Sequence, residues 1–125
     1  MKVIVNLQSS SQGDGTHWLV LIIKGSNCLY FDTFGAIPCK EIIRFCKGKR
    51  LGYSAYIIQD INSTQCGLYC IALLHFMQYN KGDFFELFND FINLFVSNTK
   101  VNDKILFRYF KTNEINVQSF SPSTN

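Results

Sequence analysis

The chain has 125 residues, 47% of them hydrophobic and 17% charged, with twelve Phe, six Tyr and a net charge of +3. That is enough apolar mass for one domain with a real core, which excludes general disorder. No apolar run reaches the ~18 residues of a membrane span and the N-terminus lacks a signal-peptide pattern, so the chain reads as soluble and intracellular.

Val3-Ile4-Val5-Asn6-Leu7 is a short strand. Residues 8–15 are polar, with Ser9-Ser10-Ser11 and two glycines, and form a loop. Residues 18–23 are apolar throughout and predict a strand buried on both faces. Gly25-Ser26 is a good centre for a two-residue hairpin, and 28–32 is the return strand. A second turn follows at 33–37. Pro38 opens a helix that reaches about Lys47, and Gly48 ends it. Residues 53–58 read as a third strand of the sheet.

Residues 59–65 form a polar loop in which Ser63 and Thr64 are candidate helix caps. The helix from Cys66 to about Tyr79 contains no charged residue and belongs inside the domain. Lys81-Gly82-Asp83 breaks it. Asp83 caps the next helix, whose apolar stripe is Phe84, Leu87, Phe88, Phe91, Leu94 and Phe95. Asn102 or Asp103 caps a last short helix through Phe110. The expected architecture is α+β: one domain over 1–111, a central helix beginning at Cys66 packed on a small mixed sheet, further helices C-terminal to it, and a loose polar tail over 112–125.

Five cysteines, an odd number, with no secretion signal read as reduced thiols. Zinc fits poorly. Cys66 and Cys70 share a helix face, but His75 lies about half a turn of the wheel away, and Cys39 and Cys46 lack a ligand-pair spacing. No metal and no cofactor are expected. Residues 40–50 hold Lys40, Arg44, Lys47, Lys49 and Arg50 against Glu41 alone, a local excess of +4. Such a patch could touch nucleic acid or an acidic partner, but a solvated helix face and turn is the favoured reading.

The chemistry concentrates elsewhere. Cys66 stands at a helix start, where about half a positive charge favours thiolate over thiol. If Gly25 and Ser26 form the hairpin turn, paired residues sum to 51. His17 then faces Phe34, with Asp32 two residues along on the same face, where diagonal neighbours are ~7–8 Å apart. A carboxylate there fixes the imidazole tautomer and favours the imidazolium. Cys66 is thus the candidate nucleophile and His17 its proton acceptor and donor. The Gln59 amide, seven residues before Cys66, and the Cys66 backbone N–H are candidate oxyanion donors. The order His, Asp, Gln, Cys is not that of papain-like enzymes. Taken singly, each residue has an ordinary structural role: an exposed histidine, a core cysteine, a turn aspartate. Their joint order is what points to a site.

Gly15-Thr16-His17-Trp18, Tyr30-Phe31-Asp32-Thr33-Phe34-Gly35, and Gln59 with Cys66-Gly67 resemble the adenovirus protease (adenain) family, within the wider group of ubiquitin-like-protein (SUMO) proteases. The likeness runs from about Val3 to Met77, close to two thirds of the chain. The Gln-to-Cys spacing is similar to the adenovirus type, and the strand before the histidine to the proteases of Polinton (Maverick) elements, virophages and large DNA viruses. The resemblance implies a cysteine-protease fold and a thiol endopeptidase that matures viral capsid precursors at Gly-Gly-like sites, in the infected cell or the virion. It implies that Trp18 walls a narrow cleft for small-residue substrates. The resemblance also leaves open stimulation by a peptide activator or by DNA; neither binding site carries over residue by residue, and the basic 40–50 stretch only keeps DNA contact possible. Family members carry more sequence before the histidine strand, including part of the cleft, so a chain lacking those elements is expected. The alternatives are an isopeptidase for ubiquitin-like modifiers using the same site, and an inactive binding module of the same fold.

Overall fold

The computed structural model describes the backbone of residues 2–7 and all of residues 17–115. The loop expected at 8–15 and the tail beyond 115 lie outside the described residues. Four strands form one mixed sheet in the order β1-β2-β3-β4: β1 (Lys2–Leu7), β2 (His17–Lys24), β3 (Asn27–Phe31) and β4 (Arg50–Tyr53). β1 and β3 flank β2 antiparallel, while β4 lies parallel to β3. Gly25 at φ +60° makes the tight turn between β2 and β3. The pairing Lys24↔Asn27 through Val20↔Phe31 is the register expected from that turn.

Strand alternation gives the sheet two buried faces. Val20, Ile22, Leu29 and Phe31 pack against α2 (Cys66–Tyr79), α3 (Phe84–Ile92) and α4 (Asn102–Thr112). Leu19, Leu21, Ile23, Cys28 and Tyr30 pack on the other face with Cys46 and Ile42, from the short helix α1 (Lys40–Phe45) and its C-terminal cap. This is why 19–23 is apolar without alternation. Phe31 meets Phe88 and Phe91 edge-on at 6.0 and 5.8 Å between ring centroids. Burial of each such ring stabilises by ~1.5–3 kcal/mol.

α2 has the expected bounds, but neither Ser63 nor Thr64 caps it. Gln65 holds the cap position with no side-chain bond, and Ser63 instead accepts the Gln65 N–H through Oγ at 3.2 Å. Its first two turns are buried, whereas Gln78 and Tyr79 reach solvent. Asp83 caps α3 as expected, accepting from the Phe85 and Glu86 N–H groups. α3 stops at Ile92, so Leu94 leaves the stripe and is exposed, while Phe95 stays buried.

Three other expectations shift. The strand placed at 53–58 lies at Arg50–Tyr53 instead. Its ladder opens when the Arg50 N–H donates to the Ser26 carbonyl at 2.8 Å, and β3 offers no partner past Tyr30↔Tyr53. The Tyr56 N–H then bonds Ser54 Oγ at 3.1 Å and turns the chain away. α1 begins at Lys40 rather than Pro38, because Cys39 is extended. Neither Asn102 nor Asp103 caps α4: Val101 holds the cap position, and Asn98 caps the 3-10 turn Thr99–Val101 before it. Asn102 is fully buried, donating to the Ile58 and Val96 carbonyls and accepting from the Val96 N–H. It thereby clamps α4 to the loop that follows β4.

Candidate active site

The β2–β3 ladder ends at Val20↔Phe31, and the candidate site forms just beyond it. There the chain turns over Asp32-Thr33-Phe34-Gly35. The Gly35 N–H donates to the Asp32 carbonyl at 2.9 Å, and the Phe34 N–H donates to Asp32 Oδ1 at 2.8 Å. These bonds fix the carboxylate before any functional partner is considered. Gly35 has φ +73°, and a Cβ on it would stand 2.6 Å from the Ala55 carbonyl oxygen. Only glycine meets both conditions without displacing backbone. Gly35→Ala is expected to cost about 2–3 kcal/mol in a urea unfolding titration, and the same variant should slow any chemistry that depends on Asp32.

His17 Nε2 lies 2.9 Å from the same Asp32 Oδ1. Its ring leans on Phe34 at 5.2 Å between centroids. The hairpin parity read from the sequence therefore brings His17, Asp32 and Phe34 together. The hydrogen bond His17 donates to Asp32, followed by that with Cys66, raises the His17 pKa from 6.5 to about 9 against the opposing effect of burial.

Cys66 is the first residue of α2 and is 8% exposed. Burial pushes its thiol up. Hydrogen bonds with His17 and with the Trp18 and Gly67 N–H groups, together with the His17 charge, outweigh that, and the thiol lies below its ordinary value. The Trp18 N–H reaches Sγ at 3.5 Å. Cys70, one turn along α2, shows the contrast: burial, then the charges of Cys66 and Asp32, push it well up. None of the five cysteines is in a disulfide. A thiolate beside an imidazolium oriented by a carboxylate is equipped for nucleophilic attack followed by proton donation.

Gln59 is 1% exposed and is held beside the Asp32 turn. Its backbone N–H donates to the Thr33 carbonyl at 3.2 Å, and its Oε1 accepts from Thr33 Oγ1 at 2.5 Å. Its Nε2 donates to the Ser63 carbonyl at 3.0 Å and to Ser63 Oγ at 3.3 Å. So the amide is oriented with its oxygen toward Thr33 and its NH₂ toward Ser63. Sequence reasoning did not single out Thr33, Ser63 or Asp103 as its supports. Thr33 sits inside the Asp-Thr-Phe-Gly motif and offered a signal; Asp103, far downstream, offered none.

Trp18 is 38% exposed, and its indole Cδ1 lies 3.6 Å from where a Gly67 Cβ would be. The ring thus lies across the start of α2 next to Cys66. Lys40, Arg44, Lys47, Lys49 and Arg50 are all exposed. Lys49 Nζ donates to the Gly25 carbonyl at 3.1 Å, and the Arg50 guanidinium lies 5.0 Å over the Phe85 ring. Among the described residues, no group of three or more His, Cys, Asp or Glu side chains is placed to hold a metal ion, and no helix is long and apolar enough to cross a membrane. No protein-family model matches the chain, and no curated protein is significantly similar to it.

Proposed function

We propose that the chain is a cysteine endopeptidase, with Cys66 as nucleophile, His17 as general base and acid, and Asp32 as the group that orients and charges His17. The observation that carries this reading is the continuous hydrogen-bonded line from Asp32 through His17 to Cys66. The Cys66 thiolate attacks the carbonyl carbon of the scissile bond, and the oxyanion forms near the first-turn N–H groups of α2, joined by one Gln59 Nε2–H where the Ser63 carbonyl and Oγ share the other. His17 gives its proton to the departing amine, leaving a thioester on Cys66. Neutral His17 then takes a proton from water, whose oxygen attacks the thioester and releases the acid.

The motifs around His17, Asp32, Gln59 and Cys66 resemble the adenovirus protease family, and on that ground we assign the substrates to viral precursor proteins cut at Gly-Gly-like sites. Trp18 beside Gly67 supports this choice, since a flat aromatic wall admits glycine and excludes branched side chains. Infected-cell or virion location and modulation by a peptide or by DNA at the 40–50 stretch belong to the same proposal. Incubation with viral capsid precursors and, separately, with ubiquitin-like fusions tests it. Cleavage of the precursors is expected. Cleavage of the fusions alone would move the assignment to modifier processing, and cleavage of neither would leave a binding module.

A further inference from the structure

Ser63 joins three parts of the molecule. Its Oγ–H donates to Asp103 Oδ1 at 3.0 Å, and its Oγ lies 3.2 Å from the Gln65 N–H and 3.3 Å from Gln59 Nε2. A hydroxyl has one proton and two lone pairs, and here all three directions are used. A serine hydroxyl rotates to suit its neighbours, so something must fix its sense. Asp103 does so, because an ionised carboxylate only accepts. Once the single Ser63 proton goes to Asp103, both lone pairs face the Gln59 amide and the residue before Cys66. Asp103 is itself held from a second side, since Tyr69 Oη, one turn past Cys66, donates to the same Oδ1 at 2.8 Å.

We infer that Asp103 is a positioning residue for the proposed reaction, acting through Ser63 to aim the Gln59 amide and fix the loop that leads into Cys66. The inference rests on the peptidase reading above. It connects α4, which contributes nothing to the Asp32–His17–Cys66 line, to the side of the site that would stabilise the oxyanion. Thr33 completes the path, holding Gln59 Oε1 from the turn that also carries Asp32. The Gln59 amide is therefore fixed at both ends by groups outside the thiol–imidazole pair.

The test measures kcat and KM for peptide cleavage, together with the pH profile of Cys66 alkylation by iodoacetamide. Asp103→Ala, Ser63→Ala, their double variant and the conservative Asp103→Asn are compared with the wild type. Asp103→Ala is expected to lower kcat about 10–100-fold, with KM and the alkylation profile unchanged. Asp103→Asn keeps an oxygen acceptor and should recover most of kcat. The double variant should be no slower than the slower single variant, since both act on one path. An unchanged kcat in Asp103→Ala, losses that multiply in the double variant, or an alkylation profile that shifts along with kcat would overturn the inference. Should Asp103→Ala fail to fold, Ser63→Ala decides: a wild-type kcat there overturns it. A wild-type protein that cleaves no peptide sinks the peptidase reading and this inference with it. A wild type that turns over while Asp103→Ala matches it sinks this inference alone.

Discussion

On the proposed function, Cys66→Ala is expected to abolish peptide cleavage, a loss on the order of 10⁶-fold in kcat as for covalent hydrolases stripped of their nucleophile. The fold should survive. Cys66 contributes one small side chain at the start of α2, and alanine is the better helix former. The missing sulfur costs on the order of 1 kcal/mol. His17→Ala should be nearly as severe, and Cys66→Ala/His17→Ala no worse than either alone, because the two groups act as one unit. Cleavage assays of the three variants, with circular dichroism to confirm folding, check this. Residual cleavage by Cys66→Ala would assign the nucleophile elsewhere.

Asp32→Asn is expected to lower kcat about 10²–10⁴-fold, in the manner of catalytic triads whose carboxylate is neutralised. The turn should persist, because an asparagine Oδ1 can still accept the Phe34 N–H that Asp32 now accepts at 2.8 Å. Only the charge facing His17 is lost. Since the bond to Asp32 is the largest cause of the His17 shift from 6.5 to about 9, the His17 midpoint should fall toward 6.5 in this variant. An NMR titration of the imidazole C–H signals reads it directly. A stability consequence follows by linkage. A histidine whose pKa is raised on folding stabilises the fold fully below about pH 6.5, and that contribution is lost as pH rises through about 9. The wild type should therefore lose stability on the alkaline side, and Asp32→Asn should show less of that loss. A His17 midpoint that stays near 9 in Asp32→Asn would remove Asp32 from its role.

The site was legible in the sequence wherever local chemistry decides geometry. The Gly25-Ser26 turn set the β2–β3 register, and parity then placed His17 and Asp32 on one face. The apolar, uncharged run of α2 gave its bounds, and Asp83 gave the start of α3. What escaped depends on partners far along the chain. β4 begins at Arg50 because Ser26 offers a carbonyl there, not because residues 50–53 have the stronger strand pattern. Ser63 looks like a cap in sequence, yet it donates its hydroxyl to Asp103 on α4 and becomes a support for Gln59. Asn102 likewise looks like a cap and is instead a buried clamp on Ile58 and Val96. In the last two cases a polar side chain with a familiar local use was taken over by a long-range partner.

The alkylation of Cys66 by iodoacetamide as a function of pH, in the wild type and in His17→Ala, bears most directly on whether this thiol is activated by His17. Peptide mass spectrometry separates it from the exposed Cys39 and the buried Cys28. The wild type should react at Cys66 with a midpoint below the ordinary thiol value. In His17→Ala burial should prevail and the midpoint should move up, with the rate near neutral pH falling about tenfold for each unit of movement. A Cys66 that reacts no faster than Cys28 or Cys39, with a midpoint indifferent to His17, would contradict the assignment.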